Sequence, residues 1–171
     1  MTINNIDRFK AKIARGELCV GTSITFTDPA ISELVGDAGY DFTWIDMEHC
    51  PIDISTALNH VMAVRGTGAA PFVRVPAGDP IIIKPVLELH PAAIIAPQVQ
   101  TVADVERVVA ACKYPPVGIR GFGPRRGRGF GGRPGPCRRR CCSRRGGPQP
   151  QKGADPCHAL KIFFVADFLL L

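Results

Sequence analysis

The stretch Asp41-Phe42-Thr43-Trp44-Ile45-Asp46-Met47-Glu48-His49-Cys50-Pro51-Ile52-Asp53 decides how the rest of the chain is read. Its apolar run (Phe42, Trp44, Ile45) stops abruptly in Asp46, Glu48 and His49, and a proline and an aspartate follow. That order predicts a buried strand delivering polar groups to its C-terminal edge, then a helix capped by Asp53. Carboxylates clustered beside an imidazole can hold a metal-bound ligand, raise the histidine pKa and let it move a proton near neutral pH. A surface loop with three ordinary charges has the same composition, so this stretch alone leaves both readings open.

Upstream, residues 1–16 predict a short amphipathic helix with Ile6, Phe9 and Ile13 on one face, and no secretory signal is visible. Leu18 to Phe26 is a β-rich run. Thr27-Asp28-Pro29 then starts a helix whose apolar positions Ile31, Leu34, Val35 and Ala38 fall at helical spacing, with Gly39 placed to end it. Downstream, Ile54, Leu58, Val61 and Met62 continue a helix until Gly66 and Gly68 break it. Ala70 to Pro76 predicts a third strand, Asp79-Pro80 opens a helix to about Leu89, Ala92 to Val99 is a fourth strand, and Val102 to Cys112 a helix.

Strands starting near 18, 41, 70 and 92, each followed by a helix, have the spacing of βα units in a parallel sheet. Near-continuous apolar strands such as Ala92-Ala-Ile-Ile-Ala96 fit a sheet buried on both faces, as in a barrel or a doubly wound fold. Arg74 stands in one of these apolar strands, which is costly unless its guanidinium meets an anion. The alternative is an arginine paired to a structural carboxylate.

The 171 residues and 46% hydrophobic content suffice for one domain with a core. The net charge of +6 is unevenly spread: residues 1–116 hold 9 Lys/Arg against 13 Asp/Glu, and residues 117–171 hold 12 against 2. The high pI is therefore weak evidence that the folded part binds nucleic acid. Cys19, Cys50 and Cys112, three of seven cysteines, are scattered singly and read as reduced thiols of a cytoplasmic protein. Ile162 to Leu171 is apolar but far shorter than the roughly 20 residues of a membrane span, so no membrane role is expected.

Five segments in order carry a resemblance: Gly39 to His49, Phe72-Val-Arg-Val-Pro76, Ile83-Lys-Pro-Val-Leu-Glu-Leu89, Ala93-Ile-Ile-Ala-Pro-Gln-Val99 and Tyr114-Pro-Pro-Val-Gly-Ile-Arg-Gly121. Together they resemble the HpcH/HpaI aldolase family, the metal-dependent class II pyruvate aldolases that include 2-dehydro-3-deoxyglucarate aldolase, over residues 1 to about 126. The resemblance implies a TIM (β/α)8 barrel, present here as its first four βα units. It also implies reversible cleavage of a 4-hydroxy-2-oxo acid to pyruvate and an aldehyde by an enzyme that is generally a homo-oligomer. By resemblance His49 transfers the proton, working with Glu88 on the helix before the fourth strand; Asp46 and Glu48 shape the same polar edge, and Arg74 binds the 2-oxo acid and its enolate oxygen. A fixed cation is what a developing enolate needs, and an unpaired arginine at a strand end supplies one. A divalent metal (Mg, Mn or Co), acting as a Lewis acid on the 2-oxo carboxylate, is the expected cofactor.

Two departures fall inside the matching region. Where the family has Leu-Asp-x-Gly, this chain has Leu87-Glu88-Leu89-His90. If the glycine serves a positive φ, His90 is strained; the preferred reading is an exposed histidine at a helix end. The family's metal ligands, a glutamate in Gln-Ile-Glu after the fifth strand and an aspartate after the sixth, have no match, so no residue is assigned to metal. Four units use about 115 residues and a whole barrel about 250, so the expectation is a truncated chain without metal-dependent aldolase activity.

This divides the chain into an aldolase-type half-barrel, residues 1–120, and an Arg/Gly/Pro/Cys-rich tail, residues 121–171, expected to be disordered or to come from a frameshift, misread splice or truncation. Arg125 and Arg126 fit the family's loop as well as the tail. A functional tail would bind RNA with little sequence preference, its arginines on phosphates and Phe122 and Phe130 on bases. A zinc site from Cys137, Cys141, Cys142, Cys157 and His158 is disfavoured, because the spacing matches no standard pair.

Overall fold

A computed structural model of the chain describes residues 4–123, Arg126 and the backbone of Phe164–Val165. The elements run α1 (Ile6–Ala14), β1 (Gly21–Ile24), α2 (Ala30–Asp37), β2 (Phe42–Asp46), α3 (Ile54–Ala63) with a 3-10 turn at Val64–Gly66, β3 (Ala70–Arg74), α4 (Pro80–Glu88), β4 (Ala93–Ala96), α5 (Val102–Cys112) and β5 (Phe164–Val165). The strands form one parallel sheet in chain order, β1-β2-β3-β4-β5. Four consecutive βα units in an α/β arrangement are thus as the sequence predicts. Of the basic tail only residues 121–123, Arg126 and the two-residue β5, which the sequence reading did not foresee, are described; its cysteines lie outside the described residues.

The capping residues are those the sequence singles out. Asp53 accepts from the Thr56 amide and Asp79 from the Ile81 amide. Thr101 and Asp104 satisfy each other's amides in a capping box that fixes the start of α5. Gly39 ends α2 with φ +91°, a conformation open to glycine. Gly21 is required for a different reason: a Cβ there would run into the Phe42 ring of the neighbouring strand.

The period-2 alternation of the strands separates two apolar clusters. Ile24, Ile45, Val73, Ile94 and Ala96 face the helices and pack on Val35, Val61, Ile83, Leu87 and Val108. Ala70, Phe72, Ala93 and Ile95 face the other way, with Phe42 and Trp44, and are covered by Ile6 and Phe9 of α1. Phe9 meets Phe42 and Phe72 edge-on at 5.8 and 5.0 Å, and those two rings stack at 5.0 Å. Ile13, expected on the same face, is exposed instead.

Polar bonds pin α1 across the end of the sheet where the strands begin. The Asn5 side-chain amide donates to the carbonyls of Thr67 and Ala69 at 3.1 and 2.8 Å, and that of Asn4 to Pro91 at 3.1 Å. Lys12 binds both oxygens of the buried Asp41, which also accepts from the Val20 amide. The opposite end of the sheet, where strands finish and helices start, is left for chemistry.

Candidate functional site

Asp46 and Arg74 are register partners at the C-terminal ends of β2 and β3. By strand parity both lie on the face shared with Trp44 and Phe72, one step beyond the apolar cluster. Arg74 donates from Nε to Asp46 Oδ1 at 2.9 Å and from Nη2 to Oδ2 at 2.5 Å, a two-pronged pair in which Asp46 is almost fully buried. The guanidinium lies over the Trp44 ring at 5.5 Å. Arg74 is therefore not the unpaired cation expected from the sequence. The reading it displaces is corrected by register, which sets the carboxylate of one strand directly beside the guanidinium of the next.

Asp46 also orders the loop after β2. Its Oδ1 accepts from the amides of Glu48 at 2.9 Å and His49 at 3.3 Å, and its Oδ2 from the Cys50 thiol at 3.5 Å. Burial pushes its carboxyl pKa up, but hydrogen bonds from Arg74 and from the two amides outweigh this and hold it at about 2. Burial, then the nearby Asp46 charge, pushes the Cys50 thiol up, so it stays protonated at neutral pH.

The folded loop brings two groups capable of positive charge to one atom. Glu48 Oε2 lies 3.3 Å from Arg74 Nε and 3.6 Å from His49 Nε2. Glu48 is nearly buried, while His49 is 67% exposed and can reach incoming solute. Sequence reasoning gave Glu48 a share with Asp46 in shaping the polar edge but missed its contacts with Arg74 and His49, although its place between Asp46 and His49 carried the signal.

Glu88 is not part of this group. It ends α4, and the following segment lies level with the start of β3, the Ala92 amide donating to Pro71 at 2.7 Å. Its carboxylate pairs with Arg120 at 2.9 Å, whose guanidinium sits 4.8 Å over the Tyr114 ring. The carboxylate next to His49 is Glu48, and Glu88 is a bottom-end ion-pair residue. The sequence expectation is corrected by the direction of α4, which runs back down to the end where the strands begin. His90 is corrected as well: it adopts φ +62° and is half-buried, so the glycine of the family pattern marks a left-handed backbone.

A second depression, about 250 Å³, opens at the same end of the sheet between the loops after β3 and β4. It is lined by Gly78, Asp79, Gln98, Asp104 and Arg107 among others. Gln98 there has φ +54°.

The divalent ion implied by the sequence can be tested against these donors. Asp46 has both oxygens engaged by five donors, and Glu48 presents Oε2 to Arg74. Among the described residues no three His, Cys, Asp or Glu side chains are grouped to hold a metal. The described residues do not fit the ion.

Comparison with known proteins gives the geometry a context. The sequence model of the family described as HpcH/HpaI aldolase/citrate lyase matches residues 24–158. The 5-keto-4-deoxy-D-glucarate aldolase of Escherichia coli O139:H28 is 40% identical over 115 residues, 67% of this chain and 45% of that protein. The chain thus spans about half the length of the curated relatives it matches. The crystal structure of an HpcH/HpaI aldolase/citrate lyase family protein from Burkholderia cenocepacia J2315 superposes with a TM-score of 0.67 at 27% identity, covering 72% of this chain and 51% of that one. An HpcH/HpaI aldolase from Desulfitobacterium hafniense DCB-2 gives 0.62 at 29% identity, covering 67% and 44%.

Proposed function

Since the chain belongs to the HpcH/HpaI aldolase/citrate lyase family of carbon–carbon lyases, we propose that its β2/β3 edge is the part of an aldolase site that binds a 2-oxo acid and moves its proton. The reaction is reversible cleavage of a 4-hydroxy-2-oxo acid into pyruvate and an aldehyde. The observation that carries this reading is the convergence of Arg74 and His49 on one point at the strand ends. The aldolase name of the Escherichia coli relative supports the reaction class.

Arg74 keeps Nε and Nη2 on Asp46 and turns Nη1 to the acid, holding its carboxylate and 2-oxo oxygen. His49 takes the proton of the C4 hydroxyl as the C3–C4 bond breaks. The electron pair of that bond passes into the C2–C3 enolate, its charge is held against Arg74, and the aldehyde leaves. The imidazolium then returns its proton to C3 to give pyruvate. Enzymes of this family are in general metal-dependent, and a bound divalent ion supplies Lewis acidity toward the 2-oxo carboxylate. No step above passes through it, because the described residues do not fit it.

Asp46 acts through its partners, fixing Arg74 and the loop bearing His49. With this reading go a reduced cytoplasmic compartment, consistent with Cys19, Cys50 and Cys112 lying outside any disulfide, and an assembly of like subunits. Among the described residues no helix is long and apolar enough to cross a membrane. The test is a pyruvate titration of the full chain followed by fluorescence of Trp44, the single tryptophan, which Arg74 covers. Saturable binding that is lost in Arg74→Gln is expected; binding of equal strength in that variant would remove the reading.

A further inference from the structure

Three polar groupings stand out beyond the chemistry above: the Ser32–His60 pair, the Glu88–Arg120 pair and the position of Glu48. The Ser32–His60 pair is fully buried, and in the partly buried Glu88–Arg120 pair each charge is already matched by the other. Glu48 differs, because it sits inside the site and no step of the chemistry uses it.

Its Oε2 lies within 4 Å of both the Arg74 guanidinium and the His49 imidazole, at 3.3 and 3.6 Å. The side chain is 9% exposed, held down by the loop whose amides Asp46 binds, although its neighbour His49 stands in solvent. The contact with Arg74 is also loose by comparison. Asp46 takes Nε and Nη2 at 2.9 and 2.5 Å, whereas Glu48 adds a longer approach to a nitrogen already donating. Arg74 therefore has one partner it keeps and one it can exchange. With both carboxylates in place the group of Asp46, Glu48 and Arg74 carries a net negative charge, which repels an incoming acid.

We propose that the Glu48 carboxylate is a resident stand-in for the ligand's own carboxylate: it occupies the anion position between Arg74 and His49 in the free protein and swings out when a 2-oxo acid binds. The inference rests on the 2-oxo-acid reading of this edge. Glu48 is a positioning and gating residue that competes with the ligand, so the site keeps Arg74 and His49 together when empty and selects for anions able to displace a carboxylate. A ligand lacking a carboxylate gains nothing from the exchange.

The test uses the full chain and pyruvate, read by Trp44 fluorescence and calorimetry, in wild type, Glu48→Gln, Glu48→Ala and Glu48→Gln combined with Arg74→Gln. Removing the competing charge is expected to tighten pyruvate binding roughly fivefold in both single variants, and the double variant is expected to lose it. Glu48→Ala guards against an effect peculiar to the amide, and far-UV circular dichroism confirms that each variant is folded. Single variants that bind no tighter than wild type, or do not bind at all, overturn the inference. A double variant that binds as well as Glu48→Gln overturns the reading of Arg74 instead, so the two failures are told apart.

Discussion

Asp46 and Arg74, directly opposite each other on adjacent parallel strands, share two hydrogen bonds of 2.9 and 2.5 Å, and the loop carrying Glu48 and His49 hangs from the same carboxylate. One buried ion pair thus fixes both Arg74 and the loop that carries His49.

The pair makes the protein sensitive to acid. Asp46 has its pKa lowered from 3.8 to about 2, so the folded state favours the ionised form. The stabilisation is present above pH 3.8 and is lost as pH falls through about 2, and its size is about 2 kcal/mol. Urea unfolding between pH 5 and about 2 should show this loss, and Asp46→Asn should flatten that part of the profile.

Arg74→Gln leaves Asp46 buried without its counter-charge. It is expected to lower the unfolding free energy by about 3 kcal/mol in urea titrations, as breaking a buried pair does. Arg74→Lys keeps the charge but not the two-pronged geometry, and should recover only part of both stability and pyruvate binding.

His60 is fully buried between α2 and α3, with Nδ1 2.8 Å from Ser32 Oγ. Burial lowers its pKa from 6.5, against smaller upward contributions from the Phe26 backbone and Asp28. The unfolded chain therefore takes up the proton first, so stability is full above pH 6.5 and falls below it. Thermal melts from pH 7.5 to 5.5 should show the decline, and His60→Gln should remove it. Ser32→Ala, which strips Nδ1 of its partner, should cost about 1 to 2 kcal/mol at any pH in that range.

His90 holds φ +62°, a conformation glycine adopts without strain. His90→Gly is expected to raise the unfolding free energy by about 0.5 to 1 kcal/mol, measured in urea, with no change in pyruvate binding because the residue lies at the far end of the sheet from Arg74.

Local signals were the most legible. Asp53, Asp79 and Thr101 cap the helices they open, and α5 spans Val102–Cys112 as its pattern predicts. Parallel order followed from alternating strands and helices, and His49 and Arg74 emerge at one end of the sheet as the motif reading requires. What failed was pairing across elements. Arg74 looked isolated because its partner lies 28 residues away and meets it through register. Glu88 was misplaced although the sequence held the answer: a residue five positions before a strand on a descending helix belongs to the end where strands begin.

The stacked rings of Phe42 and Phe72, with Phe9 edge-on against both, close the inner face of the sheet from below, and Trp44 lies above them with Arg74 over its ring. They act as a depth stop. In the proposed binding mode, a 2-oxo acid held by Arg74 sinks no further than the indole, so any longer carbon chain projects outward past His49. On that reading the aromatic floor fixes how deep a ligand sits, and whatever surrounds the rim decides how far it extends.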